Sequence, residues 1–147
     1  MTSATPLLAR THTVQRLNQL LHALLKAKKK LEGFAAGIKN KQIHETIISL
    51  ATENNQYANE LSSLIKSLGG EPNMTQDKHE PLQEGPVVEK NILEVCEKNE
   101  MLLTRAYKKV LNESYIYDSL KKIIGYQLNG IKGSISKLNL LNKLSSH

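Results

Sequence analysis

Residues 41–70 read KQIHETIISLATENNQYANELSSLIKSLGG, and their spacing decides the fold. Ile43, Ile47, Leu50, Asn54, Tyr57, Leu61, Leu64 and Leu68 advance by four and three residues without a break. That is the rhythm of a helix laying one stripe against neighbouring helices. The period predicts a helix over 41–68. Gly69-Gly70 stops it, because glycine takes the left-handed backbone of a helix end without steric cost.

Upstream, Val14, Leu17, Leu21, Leu24, Lys28, Leu31, Ala35 and Ile38 keep the same rhythm and predict a helix over 13–39. Thr11 and Thr13 are its candidate N-caps, and Gly37 with the Lys39–Lys41 stretch ends it. So short a connection makes these two helices antiparallel neighbours.

Downstream, 69–86 holds Gly69, Gly70, Pro72, Pro81, Gly85 and Pro86 and shows no period, so it reads as a long linker. A helix of about 26 residues is roughly 39 Å long. About 18 extended residues reach further than that, at roughly 3.3 Å each. The linker can therefore travel the whole bundle and start a third helix parallel to the second. That helix, over 87–112, aligns Ile92, Cys96, Asn99, Leu103, Ala106 and Val110. A fourth, over 115–144, aligns Tyr117, Leu120, Ile124, Leu128, Ile131, Ile135 and Leu138. Gly125, Gly130 and Gly133 weaken it by up to about 1 kcal/mol each against Ala, which points to close helix contact or local looseness. The expectation is one all-α antiparallel four-helix domain over 1–147.

A chain of 147 residues can bury one core without disulfides. Its single Cys96 cannot form an internal bridge, which suits a reducing compartment. Met1–Arg10 lacks the apolar run of a secretory leader, and no membrane-spanning run occurs. A cytoplasmic protein with no membrane partner is expected. The net charge of +6 raises nucleic acid as a partner, and Lys26, Lys28, Lys29 and Lys30 are its strongest local source. With one Phe and no Trp, no aromatic side chains interleave with that cluster to stack on bases.

The apolar seams are interrupted near their centres. If Ile38 faces Ile43, antiparallel register puts Lys28 beside Glu53 and Asn54. If Val110 faces Tyr117, Glu100 and Asn99 come near Gln127 and Leu128. One polar layer would then collect Lys28, Glu53, Asn54, Glu100 and Gln127, with Glu32, Glu97 and Asn129 a turn away. A buried charge needs a partner, and Lys28 with Glu53 or Glu100 would supply one.

Leu17-Asn18-Gln19-Leu20-Leu21, Leu31-Glu32, Tyr57-Ala58-Asn59-Glu60-Leu61, Leu68-Gly69-Gly70-Glu71-Pro72, Cys96-Glu97-Lys98-Asn99-Glu100 and Ala106-Tyr107 together carry a resemblance. They span most of 14–140. The chain resembles the bacterial ferritin-like family of four-helix bundles catalogued as a domain of unknown function. The resemblance implies ferritin-like topology, with a long crossover between helices two and three, and no assigned activity. Members carry a longer crossover containing a short helix, and the shorter linker here implies the loss of that element.

Ferritin-like di-iron proteins use a Glu from two helices and Glu-x-x-His from the other two. Here Glu53-Asn54-Asn55-Gln56 has Gln where His is needed. The fourth helix offers Gln127 and Asn129, with Lys132 in place of His. Glu32, Glu53, Glu97 and Glu100 are the remaining candidate ligands for iron or another divalent metal, and Lys28 could replace the metal's charge. The leading expectation is a non-catalytic structural, stress-related or interaction protein with a degenerate metal site and no cofactor. A homo-oligomer or a protein partner is expected with it. The alternatives are a di-metal, ferroxidase-like protein and a DNA-associating protein in the manner of miniferritins.

Overall fold

The computed structural model describes residues 4–74 and 91–145. They form α1 (Ala4–Ala36), α2 (Lys41–Ser67), α3 (Ile92–Leu111) and α4 (Asp118–Ser145). Residues 75–90, which hold most of the expected linker and the first residues expected in the third helix, lie outside the described ones.

α1 begins well before Thr11 and Thr13. The hydroxyl of the buried Thr13 donates to the Ala9 carbonyl at 2.7 Å, so it is satisfied inside the helix and caps nothing. Asn40 does cap α2, its side-chain oxygen accepting from the Ile43 amide at 3.0 Å. The far end of α2 closes with two bonds: Gly70 N–H to Ile65 C=O and Gly69 N–H to Lys66 C=O, each 2.9 Å. Gly69 has φ +81°, so this is the left-handed Schellman ending. Gly69→Ala, which forces a Cβ into that region, is expected to lower stability by about 1 kcal/mol, read as a shifted urea midpoint with unchanged slope.

The core has two apolar ends. In one, Leu17, Leu21 and Leu25 of α1 meet Leu61 and Ile65 of α2, Leu103 and Val110 of α3, and Leu120 and Ile124 of α4, with Ile116 just before it. In the other, Leu31 and Ala35 of α1 meet Ile47 and Leu50 of α2, Ile92 and Cys96 of α3, and Leu138 of α4. The starts of α2 and α3 therefore share one end of the bundle, and their finishes share the other. α2 and α3 run parallel, with α1 and α4 opposed to them. The connection from Leu68 to Asn91 starts at one end and finishes at the other, as a crossover must. Asn18 of α1 pins its beginning, donating to the Glu71 carbonyl at 3.0 Å and accepting from the Asn73 amide at 2.8 Å.

Two expected registers need correction. On α1 the seam passes from Leu24 through Ala27 to Leu31, all buried, and bypasses Lys28. Burying a methyl group avoids desolvating an ammonium. Between α3 and α4, Tyr117 is exposed and Ile116 is buried in its place. The chain from Asn112 to Tyr117 is not helical, and this moves the level of Gln127 by about two turns, from Glu100 to Tyr107.

Candidate functional site at the bundle centre

Between the two apolar ends lies a polar level. Asn54, Asn99 and Glu100 are buried there, and Gln127 is buried two turns along the bundle. The Asn99 amide donates to the Ala27 carbonyl of α1 at 3.2 Å, a contact that the small Ala27 allows. Asn54 Nδ2 donates to Glu100 Oε1 at 3.1 Å. Glu100 Oε2 and Asn54 Oδ1 are both buried without a hydrogen-bond partner among the described residues.

An ionised carboxylate only accepts, as does an amide oxygen, so a proton on Glu100 is a donor that the Asn54–Glu100 pair can supply for itself. Burial pushes the Glu100 carboxyl up to about 7, the Asn54 bond opposes this, and the negative Glu53 adds to it. Glu100 therefore holds a proton in a pH range where an ordinary glutamate is ionised. Burial, with a smaller effect of Glu100, likewise pushes the Cys96 thiol up to about 12. Cys96 is thus held as the neutral thiol, the less nucleophilic form.

Around this pair runs a network of phenols, amides and carboxylates. Ser134 Oγ donates to Glu53 Oε1 at 2.9 Å, and the Tyr57 hydroxyl donates to Glu53 Oε2 at 3.4 Å. The Tyr107 hydroxyl donates to Gln127 Oε1 at 2.7 Å, while Gln127 Nε2 donates to Glu60 Oε1 at 2.9 Å. Burial, then the neighbouring Glu53, pushes the Tyr57 phenol up to about 12. Burial likewise raises Tyr107. A cleft of about 410 Å³ between α2 and α4, lined in part by Glu45, Glu53, Ser134 and Lys137, brings solvent to the edge of this network.

The structure brings together Asn54, Glu100 and Glu53 and sets Gln127 two turns away with Tyr107 and Glu60. It does not add Lys28, whose ammonium lies 4.0 Å from the exposed Glu32 one turn along α1. The expected Lys28 pairing with Glu53 or Glu100 is replaced by this surface pair. Glu97 accepts from Asn139 of α4 at 3.2 Å, and Asn129 is exposed. Sequence reasoning missed Glu60, Tyr107, Ser134 and the Tyr57 phenol. Tyr57 stood in the seam read as a core residue, and the others signalled nothing through spacing alone.

Among the described residues, the donors do not assemble a dinuclear iron centre. Of the four candidate carboxylates, Glu53 and Glu100 share the polar level, while Glu32 is exposed and Glu97 is tied to Asn139. No imidazole among the described residues joins them. His12 stacks edge-on with Tyr115, His22 is exposed and His44 meets the Ala35 carbonyl. Among the described residues, no three His, Cys, Asp or Glu side chains are placed to hold a metal ion. Of the buried polar residues on α2 and α4, Asn54 has Tyr57 three residues on and Gln127 has Gly130, and neither step brings an imidazole. The Tyr57 hydroxyl fills the space where any side chain at 130 would begin.

No family model and no curated protein matches the sequence. Solved structures do match. One is the bacterioferritin of Rhodobacter capsulatus, described with a metal-free dinuclear site and a heme iron: 18% identity, TM-score 0.76, over 92% of this chain and 86% of that one. Another is the Desulfovibrio desulfuricans bacterioferritin, whose diiron site was captured in different catalytic states: 17% identity, TM-score 0.75, 92% and 80% covered. A ferritin-like, diiron-carboxylate protein of Bacillus anthracis matches with 18% identity and TM-score 0.69, over 98% of this chain and 99% of that one. At these identities the likeness is one of fold, and the chain is a ferritin-like four-helix bundle.

Proposed function

We propose that this chain is a non-catalytic member of the ferritin-like fold, in which the bundle's own hydrogen bonds occupy the centre that related folds give to metals. Its role is then structural or one of interaction, in the cytoplasm and under stress conditions, through assembly with further copies or a protein partner. The observation that carries this reading is the packing of the Tyr57 hydroxyl against Gly130, where it would meet the Cβ of any other residue. The Asn54–Glu100 pair supports it as well. Assembly is supported by the outer face of α4, where Tyr126, Leu140 and Leu144 are each 60% or more exposed and share one side of the helix. The resemblance to the bacterial domain of unknown function, carried by Leu68–Pro72 and Cys96–Glu100, adds a family without adding an activity.

A second reading, iron binding, is supported by the diiron sites named for the structural neighbours and by the adjacency of Glu53 and Glu100. The test that separates the two is metal analysis of protein purified without chelators, followed by addition of Fe(II) under nitrogen and then oxygen. The proposal expects far less than one iron per chain and an oxidation rate equal to that of buffer. Two irons per chain with accelerated oxidation would establish the second reading instead.

A further inference from the structure

α1 and α3 enclose a groove of about 430 Å³ near the end of the bundle where α3 finishes. Arg16, Arg105 and Lys109 stand around it, and Leu20, Leu102 and Ala106 line its apolar part. Ala106 is the small side chain between the two α3 cations, and its size leaves the hollow open.

The charges here are arranged unlike those of an ordinary solvated helix. Arg105 and Lys109 are four apart on α3, where like charges repel. Both are exposed, and among the described residues neither has an ion-pair partner. Arg16 is different: it is fixed by Gln19 at 2.9 Å, Tyr115 at 3.2 Å and Glu113 at 3.0 Å. Three of its five N–H groups are thus engaged, and the others remain free to donate. Glu113 balances the charge of Arg16, so the groove keeps the positive charge of Arg105 and Lys109. Beside these cations Leu102 stands 56% exposed, offering water an apolar wall.

We propose that this groove binds an amphiphilic anion, its carboxylate or phosphate head held by Arg105 and Lys109 and its alkyl body laid along Leu20, Leu102 and Ala106. Charge complementarity selects the head, since none of the residues lining the groove is acidic. The apolar wall selects against a bare inorganic ion. The volume falls in the range of small-molecule sites. This site is on the opposite side of α3 from the Asn54–Glu100 pair and holds whether or not the bundle centre takes iron.

Calorimetric titration of the full chain with decanoate and with decyl phosphate, below their micelle thresholds, tests the proposal. Decyltrimethylammonium, inorganic phosphate and a short DNA duplex serve as comparisons. One anionic amphiphile per chain is expected, with little heat from the cationic amphiphile or from phosphate, and the tighter of the two heads identifies the source. Arg105→Gln with Lys109→Gln is expected to weaken binding at least tenfold. Ala106→Leu, which fills the hollow and leaves every charge in place, is expected to do the same. Circular dichroism confirms that each variant is folded. Equal binding of the cationic amphiphile, binding unmoved by both variants, or a salt-sensitive DNA complex in place of amphiphile binding would each overturn the proposal.

Discussion

Glu100→Gln is expected to remove most of the pH dependence of stability between about pH 4.5 and 7 and to be more stable than the wild type at pH 8. The folded-state carboxyl is raised from 4.5 to about 7, so across that window the folded chain holds more protons than the unfolded one. Its contribution to stability is complete below 4.5 and is lost as pH rises through 7. From pH 5 to pH 8 the wild type should lose roughly 2–3 kcal/mol, the free energy of most of that shift. The amide introduced by Glu100→Gln keeps the shape of the neutral acid, accepting from Asn54 Nδ2 and offering an N–H to Asn54 Oδ1, with no charge to desolvate. Urea unfolding of both proteins at pH 5, 6, 7 and 8 reads the effect. All other residues are common to both proteins, so the difference between the curves isolates Glu100. Parallel curves would mean that Glu100 is not a buried, protonatable acid.

The second large effect is at Gly130. Alanine favours a helix interior over glycine by about 1 kcal/mol, so Gly130→Ala on an unencumbered helix would stabilise. Here the new methyl meets the Tyr57 hydroxyl, and overpacking of this kind costs about 1–3 kcal/mol. A net loss is expected, opposite in sign to propensity. Gly133, one turn along the same helix, has nothing within 4 Å of an added Cβ, so Gly133→Ala should gain about 0.5–1 kcal/mol. Tyr57→Phe removes the obstructing oxygen, and the double variant Tyr57→Phe with Gly130→Ala should recover at least about 1 kcal/mol of the Gly130→Ala loss. Equal effects of alanine at 130 and 133 would show that the phenol does not occupy that space.

The wiring of the bundle was legible because it rests on long-range regularities. The unbroken seam of α2, the two glycines that close it and a linker long enough to travel the bundle together leave few arrangements. A polar level between greasy ends was legible too, since Asn54 and Asn99 interrupt their seams at matching depth. The partners within that level were not. Helix rotation by less than one residue exchanges Ala27 for Lys28, and the energy that decides between them is the desolvation of an ammonium, which no period displays. A few non-helical residues before Asp118 moved Gln127 from Glu100 to Tyr107. The fit of Tyr57 against Gly130 showed in the sequence only as one of three α4 glycines that pointed to close helix contact or local looseness, with no partner named. There the missing side chain makes the contact.

The claim on which the rest depends is that a proton, and not a metal ion, satisfies the buried carboxyl of Glu100. Carbon-13 NMR of the glutamate side-chain carboxyls, assigned through Glu100→Gln and recorded from pH 4 to pH 9 with and without equimolar Zn²⁺, measures this directly. A Glu100 resonance that titrates near pH 7 and is unmoved by the metal is expected. A Glu100 midpoint in the ordinary carboxylate range, or a resonance that shifts when Zn²⁺ is added, would contradict it.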